Sequence, residues 1–151
     1  MLVVADGMGG LDAGEIASRI AVDTMKEFFS ADKITDEIVK DASTIRKYMY
    51  EAVVAADNAI KRKSREEKSV KSMGTTLVAA WLFDGYANII WCGDSRGYLF
   101  NPVSGLAQVT KDHSYVQELV DSGRLLPEYA FDHPDNNICL LYTSPSPRDT
   151  E

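Results

Sequence analysis

The chain has 151 residues, a net charge of −7 and 45% hydrophobic residues, enough apolar material for one packed domain and too much for a disordered one. That charge disfavours nucleic acid, whose phosphates need clustered Lys and Arg; the single basic run, Lys61-Arg62-Lys63 with Arg65, is followed at once by Glu66-Glu67 and reads as a solvated loop. No apolar run approaches the ~20 residues of a membrane span, no signal peptide opens the chain, and Cys92 and Cys139 make no disulfide framework, so a cytoplasmic protein is expected.

In chain order, Leu2 to Ala5 reads as a short buried strand ending in a Gly-rich loop, Asp6-Gly7-Met8-Gly9-Gly10. A helix is expected from Asp12, with Glu15 three residues on as in a capping box. Ala17, Ile20, Ala21, Met25 and Phe28 give it one apolar face. A second helix is predicted after Thr35, with Asp36 and Glu37 in its first turn. Its stripe of Ile38, Ala42, Ile45, Met49, Ala52, Ala56 and Ile60 suits a coiled coil or, given the alanines, close packing within the domain.

After a charged loop over 61–71 the pattern turns to β. Residues 75–83 form one strand, Asp84-Gly85 is a hairpin signal, and 86–92 return as the partner. Residues 98–100 and 106–109 extend the sheet, turned by Asn101-Pro102 and Ser104-Gly105, and a short helix over 114–122 closes with Gly123 at C′. The order predicts an α+β fold with helices on antiparallel sheet.

The glycines do not make a phosphate cradle of a known kind. For a dinucleotide fingerprint the third glycine would fall at Asp12, and for a P-loop Glu15 stands where the lysine belongs. Asp6 at a strand end offers anionic oxygens, and the Gly7 carbonyl can add a neutral one, which suits a hard divalent cation. The alternative is an Asp that caps the next helix, although Asp12 is better placed for that.

Four blocks carry a family resemblance: Val4-Ala5-Asp6-Gly7-Met8-Gly9-Gly10 with Gly14-Glu15 and Ala17-Ser18; Met73-Gly74-Thr75-Thr76; Gly93-Asp94-Ser95-Arg96-Gly97-Tyr98; and Thr110-Lys111-Asp112-His113-Ser114. His133-Pro134 with Asn137 adds a weaker echo. In this order and spacing the chain resembles bacterial metal-dependent serine/threonine protein phosphatases of the PP2C (PPM) type.

The resemblance implies a β-sandwich flanked by helices, four layers αββα, incomplete here at both ends. Residues 1–138 would be a partial phosphatase domain. Residues 139–151 look like a translated library adapter, a non-native tail. It also implies two Mn²⁺ or Mg²⁺ ions, with a third weaker site, that activate water for direct attack on phosphoserine or phosphothreonine in proteins.

Asp6 would be the catalytic residue, bridging both metals; the Gly7 carbonyl would bind one of them, and Asp94 would serve the third site unless it and Arg96 merely support a turn. Thr75, Thr76 and Ser95 are expected to pack or turn rather than attack. His113 and His133 are read as hydrogen-bonded structural histidines, and Met8 stands where eukaryotic relatives carry a candidate acid.

The expected partners are phosphorylated proteins, among them a Hanks-type kinase and its substrates. The phosphate-binding Arg and the other acidic ligands of the family have no counterpart in these residues, so the chain itself is expected to be inactive. The rival readings are a non-catalytic, regulatory relative that binds a partner and, on a related branch, a phosphatase of anti-sigma-factor antagonists.

Overall fold

In the computed structural model, residues 1–10, 12–67 and 73–130 are described. They divide into two compact units, Met1–Trp91 and one beginning at Cys92.

In the first unit, β1 (Leu2–Val4) pairs antiparallel with β4 (Leu77–Phe83), Val3 opposite Ala79. β5 (Tyr86–Cys92) lies on the other side of β4, joined to it by the Asp84-Gly85 turn. Both turn residues have positive φ, 49° and 77°, the combination that matches the twist of a two-residue hairpin. The side chains of β4 alternate. Leu77, Ala79 and Trp81 are buried, and the helices cover that face.

The opposite face is open to solvent: Leu2, Val4 and Leu82 are each more than 60% exposed. The expected burial of Leu2 to Ala5 therefore holds in part for Val3 and Ala5, which pack against the core, because a period of two sends Leu2 and Val4 to the uncovered side. Residues 7–10 are not simply a loop. β2 (Gly7–Gly9) pairs antiparallel with β3 (Met73–Thr75).

Helix α1 (Ala13–Phe28) buries Ala13, Gly14, Ala17, Ala21 and Met25, a seam of small residues that lets its backbone approach the sheet. Asp12 stands at its N-cap position but makes no side-chain cap hydrogen bond, so the expected capping box is absent there. The box occurs instead at α2 (Ala42–Glu66). Asp41 accepts from the Thr44 N–H at 2.9 Å, and the Thr44 hydroxyl receives the Asp41 N–H at 3.1 Å.

The second helix thus starts six residues later than Asp36. Residues 35–39 form a separate turn, in which the Ile38 and Val39 N–H groups donate to the Thr35 carbonyl. α2 also runs through Lys61–Glu66, which was expected as loop. Ion pairs one turn apart, Lys61–Asp57 and Lys63–Glu67, favour helix there over extended chain.

The seam Ile45, Met49, Ala52 and Ala56 packs within the unit rather than in a coiled coil. Ala52 and Ala56 join Ala21, Met25, Leu77 and Ala79, while Ile45 and Met49 surround Trp81. Phe29 meets the Trp81 ring edge-on at 4.9 Å, and the Tyr48 hydroxyl donates to the Phe28 carbonyl, fastening the end of α1 to α2.

In the second unit β6 (Tyr98–Asn101) and β7 (Gly105–Gln108) form a two-stranded ladder, Phe100 opposite Leu106, rather than extending the β1-β4-β5 sheet. The Asn101 side chain accepts from the Val103 and Ser104 N–H groups and shapes the turn. α3 (Tyr115–Asp121) is capped by Ser114, whose hydroxyl accepts from Gln117 N–H, and ends at Gly123 with φ 74°. A 3₁₀ turn at Pro127–Tyr129, unforeseen from the sequence, follows. His133, Pro134, Asn137, Cys139 and the tail lie outside the described residues.

Candidate functional site

The four sequence blocks meet two by two. In the first unit the block after Asp6 pairs with the block from Met73, Gly7 opposite Thr75 and Met8 opposite Gly74. Just before that ladder Asp6 is held through its main chain. Its N–H donates to the Thr76 hydroxyl at 3.0 Å, and its carbonyl accepts from the Thr76 N–H at 2.9 Å.

Thr76 is 1% exposed, so this two-point grip is shielded from competing water. The Asp6 side chain lies on the exposed side. Asp6 has no side-chain hydrogen bond or ion pair with the described residues, and it does not cap α1.

The other side of the strand after Asp6 touches helix backbone. A Cβ on Gly7 would stand 1.8 Å from the Gly14 carbonyl oxygen, which places the first turn of α1 directly on the Gly7 peptide. A shallow depression of about 260 Å³ is lined by Ala5, Glu15, Ser18, Arg19, Val22 and Asp23, and Asp6 is not among its lining residues. Within it Glu15 and Arg19 pair with each other at 2.9 Å, both side chains about two-thirds exposed.

In the second unit the block around Asp94 is clamped by the block from Thr110. Gly93 N–H donates to His113 Nδ1 at 3.1 Å and Gly93 O accepts from His113 N–H at 2.9 Å. Gly97 N–H donates to the Thr110 hydroxyl at 3.0 Å.

Between these ends Arg96 makes a two-point contact with Asp112, Nε to Oδ1 at 2.9 Å and the terminal nitrogen to Oδ2 at 2.8 Å. The Asp112 carboxylate, first, and then the Tyr98 hydroxyl raise the guanidinium pKa above its already high value. Arg96 therefore supports the turn, as one of the two sequence readings had it. Asp94 does not share in the clamp: it is half-buried and makes no side-chain hydrogen bond with the described residues. His113 is hydrogen-bonded, as expected, and its accepting Nδ1 puts the neutral ring's proton on Nε2.

Asp6 is held through its backbone and Asp94 lies between held glycines, and neither side chain bonds to the described residues, a state compatible with a hard cation. Among the described residues no three His, Cys, Asp or Glu side chains converge as a metal-holding group. Asp6 with the Gly7 carbonyl could offer oxygen donors for part of one ion's shell, and falls short of two full shells. Sequence reasoning missed Thr76 as the anchor of Asp6 and Asp112 as the partner of Arg96, since both act across long stretches of chain. Only the order of the blocks hinted that they belong together. No helix among the described residues is long and apolar enough to cross a membrane.

Comparisons with known proteins bear on this arrangement. Residues 1–122 match the family described as Protein phosphatase 2C. The serine/threonine protein phosphatase PstP of Mycobacterium tuberculosis is 35% identical over 140 residues, 93% of this chain and 26% of the relative. The serine/threonine phosphatase stp of Listeria monocytogenes is 40% identical over 141 residues, 93% of this chain and 54% of the relative.

The crystal structure of Stp1 from Staphylococcus aureus aligns with a TM-score of 0.81 at 36% identity, over 91% of this chain and 52% of that one. The PstP catalytic domain in complex with two manganese ions aligns at 0.72 and 36% identity, over 85% and 52%. The expected α+β phosphatase fold is therefore the fold of the matched stretch. The chain spans about a quarter of PstP and about half of the Listeria phosphatase.

Proposed function

The chain belongs to the protein phosphatase 2C family, and from that premise we propose that it carries part of a metal-dependent serine/threonine protein phosphatase. The observation that carries the reading is the Asp6 carboxylate: exposed, without a partner among the described residues, and fixed through its main chain by buried Thr76. A carboxylate held in this way presents anionic oxygens without having to break internal bonds first.

In this reading Asp6, as the catalytic residue, and the Gly7 carbonyl would hold the catalytic metal, and Asp94 would serve a third, weaker site. Mn²⁺ or Mg²⁺ bound there would supply Lewis acidity toward water and the phosphoryl oxygens. The chain's own part is to hold the donors still. Thr76 and the β2–β3 ladder fix Asp6-Gly7, while Arg96–Asp112 and His113 fix the Asp94 turn. The Thr75 hydroxyl donates to the Thr76 carbonyl and the Thr76 hydroxyl accepts from the Asp6 N–H, so both are engaged with backbone. Nucleophilic attack by a side chain is not part of the proposal.

The proposed substrates are phosphoserine and phosphothreonine proteins in the cytoplasm, including a Hanks-type kinase and its targets. Residues 139–151 are proposed to be foreign to the domain of 1–138. A chimera tests the activity: residues 1–138 of this chain replace the matching stretch of the Listeria phosphatase. Mn²⁺-dependent turnover of a phosphothreonine peptide, abolished by Asp6→Asn, is the expected result. A folded chimera without turnover would favour the rival reading of a non-catalytic, partner-binding relative.

A further inference from the structure

Gly14 lies in the first turn of α1, where glycine is the poorest helix former after proline. Its backbone is ordinary for a helix, so no left-handed conformation demands it. The reason is steric. A Cβ on Gly14 would lie 2.8 Å from the Gly7 carbonyl carbon, 2.8 Å from Met8 N and 2.9 Å from the Gly7 oxygen. All three are main-chain atoms of the peptide that follows Gly7, so no side chain can swing aside. On its other side the same stretch is held by the pairing of Gly7 with Thr75 and of Met8 with Gly74. The Gly7 peptide is therefore gripped between the β3 ladder and the bare Cα of Gly14.

We propose that Gly14 is a positioning residue that sets the direction of the Gly7 carbonyl, and through it the metal shell at Asp6-Gly7. The claim rests on the reading of Gly7 as a metal ligand given above. Gly10 provides the control: it belongs to the same Gly-rich segment, yet a Cβ there meets nothing within 4 Å. If glycines were needed in this segment only for general flexibility, Gly10 and Gly14 would be equally sensitive.

The test uses the full 151-residue chain with ¹³C-carbonyl glycine and follows its signals by NMR, first metal-free and then with Mn²⁺, which broadens carbonyls near its site. In Gly14→Ala the Gly7 signal should move more than that of any other glycine. The Mn²⁺ concentration that half-broadens it should rise on the order of tenfold, as for other residues that orient ligands. Gly10→Ala should match the wild type in both readings. An unmoved Gly7 signal with an unchanged Mn²⁺ midpoint in Gly14→Ala overturns the proposal.

If circular dichroism shows that Gly14→Ala does not fold, the wild type decides. Mn²⁺ must then broaden Gly7 and Gly14 together, ahead of Gly85 at the far hairpin; broadening of Gly7 without Gly14 overturns the proposal. Asp6→Asn separates the two levels of the argument. A wild type that ignores Mn²⁺, or responds no more than Asp6→Asn, overturns the metal reading and this proposal with it. A failure of Gly14 alone leaves the wild type responsive.

Discussion

Thr76 bonds Asp6 from both ends of its own short reach, hydroxyl and amide, in a place where water does not compete. Replacing it by Val keeps the shape and removes the acceptor, so the Asp6 N–H is left without its partner. The expected loss is about 1–3 kcal/mol, the usual cost of orphaning a buried donor, whereas Thr76→Ser should retain most of the stability. Urea unfolding of the three chains checks this; equal midpoints for Val and wild type would remove Thr76 from its anchoring role. The sequence showed Asp6 as a carboxylate without an evident structural task, and its side chain makes no hydrogen bond or ion pair with the described residues. It could not show the anchor, because nothing local to Thr76 announces a bond to a residue 70 positions away.

At the scale of single elements, the start of α2 depends on ionisation. The Asp41 carboxylate is held below its ordinary value, chiefly by the Thr44 N–H that it accepts. A carboxyl group lowered on folding contributes stability above its unfolded value, near pH 4. That contribution fades as pH falls through the lower folded value. Asp41→Asn caps through an amide oxygen that does not titrate in this range. Thermal melts followed at 222 nm should therefore show a smaller acid-side loss in Asp41→Asn than in the wild type, with near-equal behaviour at pH 7. Parallel acid limbs would contradict the assignment.

This helix also shows where periodicity misleads. Ile38, the first residue of the predicted stripe, does pack beside Trp81, but it reaches it from a turn rather than from the helix. The hairpin was legible to the residue because Asp84-Gly85 has a conformational requirement that few other pairs meet. The cap at Asp12 was misjudged because the spacing of a capping box says nothing of whether its side chain turns toward the helix.

At the scale of the whole molecule, the pairing of the four blocks was the part of the site that order alone could suggest, and contact alone could establish. Asp6 and Gly7 offer one carboxylate and one carbonyl, while a pair of six-coordinate ions needs far more anionic oxygen. The chain by itself is accordingly expected to show no Mn²⁺-dependent hydrolysis of p-nitrophenyl phosphate above buffer. Sustained turnover that disappears in Asp6→Asn would refute that expectation. If residues 139–151 are foreign to the domain, deleting them should leave the thermal transition in place. A clear drop in the midpoint would make them part of it.

The contact between Gly7 and Gly14 has a consequence for how such a sequence can change. Most steric conflicts inside proteins can be relieved by shrinking a neighbouring side chain, so a second mutation restores what the first one broke. Here each added methyl group would strike main chain, which no substitution elsewhere can trim. In a selection for folded or metal-responsive chains, alanine at either position should thus lack second-site suppressors, and the double substitution should fare no better than the worse single one. The two positions form an evolutionary dead end: closed to drift individually, and closed to compensation as a pair.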